Sequence, residues 1–213
     1  MLTALAHSFG AWISAPRCLR CGAEGLSLCL DCTRALGLDP EAWQGLSPLP
    51  WCSLGAYGGA LRGLLLGQRR RLQVDLVRAL AQLLGGCHRE QLAGRVLVPI
   101  PSWKRAGNPL PPLIASGLAA AGGSSCQLAS GLLRRRRPAL GQHHLRAEQR
   151  LANLEQAFSG LAPAGVHRLW LVDDILTTGA TALSAAQALE RAGHRVEGLF
   201  ALARTPLAAP AVI

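Results

Sequence analysis

The sequence predicts an α/β protein in which helices flank a parallel sheet, with a small four-cysteine module at the N-terminus. Apolar segments of strand length alternate with segments of helical apolar spacing. One apolar segment runs into two acidic residues and a loop of small residues, and two CxxC pairs stand near the start of the chain. With 213 residues, half of them hydrophobic, the chain is long enough for one substantial domain and a small satellite.

Residues 1–45 are predicted to hold a short helix, the cysteine module and a linker. Apolar side chains in residues 2–13 share one helical face, which we expect to pack on the module. Residues 38–50 are rich in proline and glycine and have no hydrophobic periodicity, as is typical of a linker. We therefore place a second domain over residues 46–213.

Four cysteines in two CxxC pairs predict a metal site: Cys18, Cys21, Cys29 and Cys32. Two such pairs can bring four thiolates around a tetrahedral Zn²⁺ ion, and Gly22 supplies the turn after the first pair. Because four protein ligands leave no open coordination position, the zinc is expected to be structural. Two disulfides or four free thiols are the alternative. The remaining cysteines are expected to be small buried residues: Cys52, Cys87 and Cys126.

The second domain is predicted to alternate strands with helices. The expected strands are residues 54–57 at a sheet edge and the more buried segments 96–101, 168–172 and 196–203. The expected helices are residues 60–66, 72–84, 110–121 and 181–192. Ligands of such sheets gather at the carboxyl ends of the strands, so we expect a binding site there.

Residues 169–181 combine an apolar strand, an acidic pair and a small-residue loop that opens a helix. Asp173 and Asp174 can accept hydrogen bonds from vicinal hydroxyls or order a hydrated divalent cation. The helix N-terminus exposes unpaired N–H groups that suit a phosphate. The predicted phosphate-binding residues are Thr177, Thr178, Gly179, Ala180 and Thr181. The alternative is a solvated strand end followed by an ordinary turn and helix cap.

Two common nucleotide motifs do not fit this segment. No Gly-Lys-Ser/Thr follows the glycine, as a P-loop requires, and no GxGxxG opens a helix. Because the acidic pair suits sugar hydroxyls and the loop suits a phosphate, we expect the pocket to prefer a ribose 5-phosphate group over a nucleoside triphosphate.

The net charge of +10 is carried almost entirely by arginine and is unevenly distributed. Between Lys104 and Arg150, eight basic residues stand against the single acid Glu148. Arginine clusters suit contacts with a diphosphate or with a nucleic-acid backbone, although solubilising charge is an alternative. The candidates are Arg105, Arg134, Arg135, Arg136 and Arg137, with a second cluster at Arg69, Arg70 and Arg71. Aromatic residues make up only 4% of the chain, which gives base stacking little support.

We expect neither a secretory signal nor a transmembrane segment. Residues 1–15 are apolar but carry no basic n-region, and no apolar run is long enough to cross a bilayer. The expected location is the cytoplasm, with any association with the inner face of the membrane made through partner proteins.

These motifs together resemble the ComF family, also called ComF/GntX, in which a four-cysteine module precedes a type I phosphoribosyltransferase domain. Four blocks carry the resemblance: the CxxC pairs, Val98-Pro99-Ile100-Pro101, residues 142–158 with Arg150, Asn153 and Phe158, and residues 172–181. The last block resembles the phosphoribosyl diphosphate (PRPP) motif of these enzymes. One block departs from the family, since Lys104-Arg105-Ala106-Gly107-Asn108 stands where Arg-Gly-Phe-Asn-Gln is usual.

The resemblance implies a type I phosphoribosyltransferase-like sheet that binds PRPP, or a related phosphoribosyl ligand, together with Mg²⁺. It implies that Asp173 and Asp174 are the catalytic pair, that residues 177–181 anchor the 5-phosphate, and that basic residues receive the diphosphate. It also implies a role in natural competence, with single-stranded DNA and proteins of the competence machinery as partners. Two alternatives stay open: a metabolic phosphoribosyltransferase with a nitrogen acceptor, and a non-catalytic adaptor that senses PRPP or a nucleotide.

Overall fold

The computed structural model describes residues 16–102, 107–136, 157–162, 165 and 167–206. The predicted N-terminal helix, Arg105, Arg137 and most of the block at 142–158 lie outside these residues. The strands are β1 Gln44–Gly45, β2 Trp51–Ser53, β3 Val96–Pro99, β4 Gln127–Leu128, β5 Leu133–Arg135, β6 Phe158–Gly160, β7 Arg168–Leu176 and β8 Arg195–Arg204. The helices are α1 Leu30–Ala35, α2 Gly59–Arg70, α3 Val74–Cys87, α4 Arg89–Leu92, α5 Leu110–Gly122 and α6 Ala180–Arg191.

Six strands form one mostly parallel sheet in the order β1-β2-β8-β7-β3-β4. Only the edge pair β1 and β2 is antiparallel. Helix α6 is the crossover between the two longest strands, β7 and β8. The predicted α/β class, with a mostly parallel sheet and flanking helices, is confirmed.

Two apolar clusters cover the two faces of the sheet. Trp170 and Phe200 pack with side chains of α2, α3 and α5 on one face. Leu169 and Leu199 pack on the other face with α6 and with the two-stranded ribbon of β5 and β6. Because side chains alternate along a strand, a strand covered on both faces must be apolar at successive positions. This explains the continuous apolar runs by which β3, β7 and β8 were predicted.

The four predicted helices are confirmed with ends shifted by at most four residues, whereas the predicted edge strand is misplaced. Strand β2 covers residues 51–53, which pair with residues 199–201 of β8. Residues 54–57 form no strand, although an isolated bridge between Ala56 and Arg204 and backbone hydrogen bonds join them to β8. The strands β1, β4, β5 and β6 were not predicted, because two or three residues are too few to show a periodicity.

The segment predicted to be a linker packs on the larger domain. Leu38 is buried in the same cluster as α3 and α5, and the backbone N–H of Asp39 donates to the carbonyl of Leu54 at 2.7 Å. Strand β1 joins the main sheet through β2. The boundary at residue 45 stays a prediction, and it falls between two paired strands.

The isolated cysteines differ in their surroundings. Cys52 and Cys126 are buried, as predicted. The prediction for Cys87 is wrong, since this residue is exposed at the last position of α3. In the described part of the chain, no helix combines the length and the apolar content needed to cross a bilayer.

Candidate functional site

The acidic pair lies near the carboxyl end of β7, which extends four residues beyond the predicted strand. Asp174 is buried and Asp173 is half-buried. The backbone N–H of Asp174 donates to Oδ1 of Asp173 at 2.8 Å, which orients the first carboxylate. Both residues line a cleft of about 400 Å³. A cleft at this edge of a parallel sheet is the usual position for a ligand.

Polar side chains from separate elements complete the wall of the cleft. Arg69 comes from α2, Asn108 precedes α5, Arg135 comes from β5 and Thr181 lies in the first turn of α6. Residues 100–102, which follow β3, supply much of the remaining wall. Positive and negative groups therefore face the same space, as recognition of a phosphorylated polyol requires.

One oxygen of Asp174 accepts three hydrogen bonds from the protein. Arg69 donates to Oδ2 through Nε at 3.1 Å and through Nη2 at 2.5 Å, and Asn108 donates to the same atom through Nδ2 at 3.1 Å. Oδ1 of Asn108 accepts from the backbone N–H of Leu110, the first residue of α5, at 3.1 Å, which orients this side chain at the start of the helix. A ligand hydroxyl that binds Oδ2 of Asp174 must share or replace these donors.

Burial raises the pKa of Asp173 to about 8, and the negative charge of Asp174 adds to the rise. Two adjacent carboxylates in a partly dry site resist simultaneous ionisation, so the pair retains a proton at a pH where isolated aspartates have lost theirs.

We expect Asp173→Asn to raise the melting temperature more near pH 8 than near pH 5. The folded chain holds the proton of Asp173 to a higher pH than the unfolded chain does. The contribution of Asp173 to stability is therefore constant below its ordinary pKa and decreases as the pH rises toward about 8. Asparagine has no proton to lose. Thermal melts across this pH range measure the effect, with Asp75→Asn on the exposed side of α3 as control. Equal pH profiles for both variants would contradict the assignment.

The predicted phosphate loop reaches the cleft through one of its five residues. Thr181 lines the cleft, whereas Thr177 and Thr178 are exposed. Oγ1 of Thr178 accepts from the backbone N–H of Ala180 at 3.4 Å at the start of α6. Gly179 has a φ of +84°, and a Cβ there would lie 2.1 Å from Cγ of Pro48. The ring of Pro48 thus packs directly on Gly179, which only a glycine allows.

Strand alternation divides the run of arginines. Arg135 is half-buried and points into the cleft, with its guanidinium carbon 4.8 Å from the ring centre of Phe158. Its Nε is buried without a hydrogen-bond partner among the described residues, and burial lowers its pKa. Arg134 and Arg136 are exposed. The part of the run that the structure describes, residues 134–136, therefore supplies one cation to the cleft and two to the surface.

Arg69 and Asn108 belong to the cleft although the sequence did not place them there. Arg69 is separated from Asp174 by 105 positions, and no local pattern links the two residues. The arginine cluster 69–71 was a signal for anion contact, and Asn108 was noted in the block that departs from the ComF pattern. Neither signal indicated which residues would lie nearby, because the two side chains meet the acidic pair only in the folded structure.

The four cysteines of the two CxxC pairs come together as predicted. Their sulfur atoms all lie within 4.8 Å of one another, and Sγ of Cys21 is 3.6 Å from Sγ of Cys29. A tetrahedral zinc–thiolate site, with Zn–S bonds of about 2.3 Å, has sulfur–sulfur edges of about 3.8 Å. Gly22 has a φ of +80° and makes the predicted turn. These cysteines could bind a metal ion such as zinc.

The environment of the thiols also fits a cation. The backbone N–H of Cys29 donates to Sγ of Cys18 at 3.4 Å and, with the N–H of Cys21, lowers the pKa of Cys18 to about 6. Burial raises the pKa of Cys32 to about 12 in the absence of a metal. A bound divalent cation reverses that effect, because it stabilises the thiolate directly.

The sheet, the charged cleft at its carboxyl edge and the four-cysteine cluster define an α/β protein with a candidate ligand cleft and a cysteine module that could bind a metal ion. A scan against protein-family models finds no match. The chain is 33% identical over 201 residues to the DNA utilization protein YhgH of Salmonella typhimurium, an alignment that covers 88% of this chain and 84% of that protein. The YhgH proteins of Salmonella typhi and Escherichia coli K12 are 32% and 29% identical over the same shares of each chain. The chain belongs to the family of the DNA utilization protein YhgH.

Among solved structures, adenine phosphoribosyltransferase from Leishmania tarentolae resembles part of this fold. The alignment has a TM-score of 0.33 and 18% identity, and it covers 61% of this chain and 71% of that one.

Proposed function

We propose that this chain is a ComF-type protein that binds PRPP, or a related ribose 5-phosphate ligand, and assists the uptake or use of single-stranded DNA in natural competence. The observation that carries the ligand proposal is the acidic pair in a cleft that also holds Arg69 and Arg135. The DNA role draws on the name of the relatives and on the arginine content.

The cleft offers a separate partner for each part of such a ligand. Asp173 and Asp174 accept hydrogen bonds from the ribose hydroxyls. Thr181 and the N-terminus of α6 bind the 5-phosphate, and Arg135 faces the diphosphate. Among the described residues no group accepts a hydrogen bond from Nε of Arg135, which leaves this atom as a donor for an anion. Mg²⁺ prefers oxygen ligands, and the carboxylates beside the proposed diphosphate site offer them. When bound, Mg²⁺ would neutralise part of the diphosphate charge.

A metabolic phosphoribosyltransferase is the second candidate, favoured by the same cleft. In that reaction a nitrogen nucleophile attacks C1 of PRPP and diphosphate leaves with the bonding electron pair. The acidic pair would fix the ribose, α6 would fix the 5-phosphate, and Arg135 would stabilise the leaving diphosphate. We assign no general base and no acceptor. A non-catalytic adaptor that senses PRPP would use the same contacts without the displacement.

The cysteine module and the exposed arginines also have proposed roles, in a protein that we propose acts in the cytoplasm. We assign structural Zn²⁺ to the four cysteines, because a closed set of four sulfur ligands leaves no coordination position for a substrate. Exposed Arg134 and Arg136 are proposed to contact a DNA backbone, with Arg105 and Arg137 as further candidates for anion contact. Proteins of the competence machinery are proposed partners, and they would account for any association with the membrane.

Titration calorimetry tests the ligand proposal. We expect PRPP with Mg²⁺ to bind more tightly than ribose 5-phosphate, and ribose 5-phosphate more tightly than ATP, because the cleft matches a phosphorylated pentose with a second anion at C1. Equal or absent heats for all three compounds would contradict the proposal. Release of labelled diphosphate with a purine, pyrimidine or amine would favour the metabolic enzyme. A ligand-dependent change in DNA affinity without release would favour the adaptor.

A further inference from the structure

Three parallel strands at the centre of the sheet each have an arginine at their first residue or directly before it. Arg95 directly precedes β3, Arg168 opens β7 and Arg195 opens β8. Arg168 and Arg195 are register partners, and Arg95 stands one residue before the pair of Val96 and Leu169. Because neighbouring strands lie about 4.8 Å apart, the three residues form a row across the amino edge of the sheet. This amino-edge arginine row lies at the opposite edge from the cleft.

One carboxylate, that of Glu197, holds the row together. Nε of Arg168 donates to Oε1 and Nε of Arg95 donates to Oε2, each at 2.5 Å. Nε of Arg195 is 3.7 Å from Oε1. Burial raises the pKa of Glu197, but the hydrogen bonds from Arg168 and Arg95 outweigh it and lower the pKa below its usual value. The carboxylate therefore stays ionised and orients the guanidiniums.

The row keeps an excess of positive charge. Within the described ranges, no carboxylate other than that of Glu197 pairs with these three arginines, so three cations share one anion. Like charges on adjacent strands repel, and one carboxylate offsets only part of that repulsion. The side chains of Arg168 and Arg195 are 54% and 75% exposed. Their remaining N–H donors are thus open to a second, external anion.

We propose that the amino-edge arginine row contacts consecutive phosphates of single-stranded DNA. One guanidinium group can donate two parallel hydrogen bonds to the oxygens of one phosphate. Because a carboxylate already orients the arginines of the row, they lose little side-chain entropy on binding. The spacing is set by the sheet, so the contact reads the regular backbone and carries no base specificity. This inference rests on the DNA role proposed above and identifies one surface that performs it. Because the row and the cleft lie at opposite edges, DNA and a phosphoribosyl ligand can bind together.

The test is the salt dependence of oligothymidylate binding by the full chain. Binding is measured by fluorescence anisotropy with a labelled strand of about 20 nucleotides. This length exceeds the usual single-strand site size of about 4 to 16 nucleotides. For Arg168→Gln with Arg195→Gln, we expect affinity to fall about tenfold at 0.1 M salt, and the slope of log affinity against log salt to lose about 1.4, or about 0.7 per phosphate. The control, Arg34→Gln with Arg78→Gln, removes the same charge from side chains that are 79% and 49% exposed on α1 and α3.

Glu197→Gln gives a change of opposite sign. Removal of the one anion from the row is expected to tighten oligothymidylate binding about threefold to fivefold and to steepen the salt slope. A purely structural ion network would instead leave DNA affinity unchanged in both variants, and that result would overturn the inference. Stronger competition by polyglutamate than by oligothymidylate would assign the row to an acidic protein and would also overturn it. A wild-type chain that binds no oligonucleotide would remove the DNA role itself, whereas wild-type binding with unaltered variants removes only this surface.

Discussion

Cys21→Ser is expected to abolish metal binding and to unfold the N-terminal module. A structural zinc site contributes about 10–16 kcal/mol of binding energy to a small module, and loss of one ligand removes most of it. Cys21 is exposed, so the substitution disturbs no apolar packing of its own. Metal analysis should give about one zinc ion per wild-type chain and none in the variant. Hydrogen exchange should show lost protection over residues 17–38.

Cys87→Ser is the matched control for that experiment, since Cys87 is exposed but lies outside the four-cysteine cluster. It should keep both the metal and the protection. We also expect loss of the module to lower the stability of the larger domain, because Leu36 and Leu38 pack in its core. A wild-type chain that contains no zinc, or a Cys21→Ser variant with full metal content, would refute the assignment.

Asp174→Asn should weaken PRPP binding about 100-fold while leaving the fold intact. Hydrogen bonds to a charged group contribute about 1.5–3 kcal/mol each, and the carboxylate is expected to accept from the ribose hydroxyls. Asparagine keeps the shape of the side chain and can still accept from Arg69 and Asn108. Arg69 is 41% exposed, so solvent compensates for the lost charge partner. Calorimetry with PRPP and Mg²⁺ measures the loss, and a melting curve verifies folding.

The exposed Asp75→Asn serves again as the control, because it removes the same charge from α3 without approaching the cleft. Unchanged PRPP affinity in a folded Asp174→Asn chain would mean that the acidic pair holds Arg69 and Asn108 in place and does not bind the ligand.

The sequence predicted the central strands and helices because each carries a clear signal. Strand β7 is apolar at successive positions, since clusters on both faces cover it, and α6 ends before Gly193 with a φ of +96°. The cysteine cluster followed from spacing alone, because both pairs lie within 15 consecutive residues. Features of this kind are set by residues close in sequence, so they can be predicted without knowledge of long-range contacts.

The rest of the site depends on contacts between distant positions. The pairing of Arg69 with Asp174 has no local signal, and Pro48 meets Gly179 only because β2 adds to the edge of the sheet. The run 134–136 could not be divided between cleft and surface before β5 was known to pair with β6. Residues 38–50 resemble a linker in composition, but the edge of the sheet orders them.

The ion pair between Arg69 and Asp174 gives the cleft an internal counterion before any ligand arrives. The phosphorylated sugar proposed as the ligand would therefore meet a site that is already close to electroneutral, and not a bare negative charge that repels it. In the proposed complex, Arg69 would turn toward the incoming anion and the sugar hydroxyls would donate to Asp174, so that each charge would exchange one partner for another. Entry by such an exchange avoids the large desolvation penalty that filling a site of unpaired ions would impose.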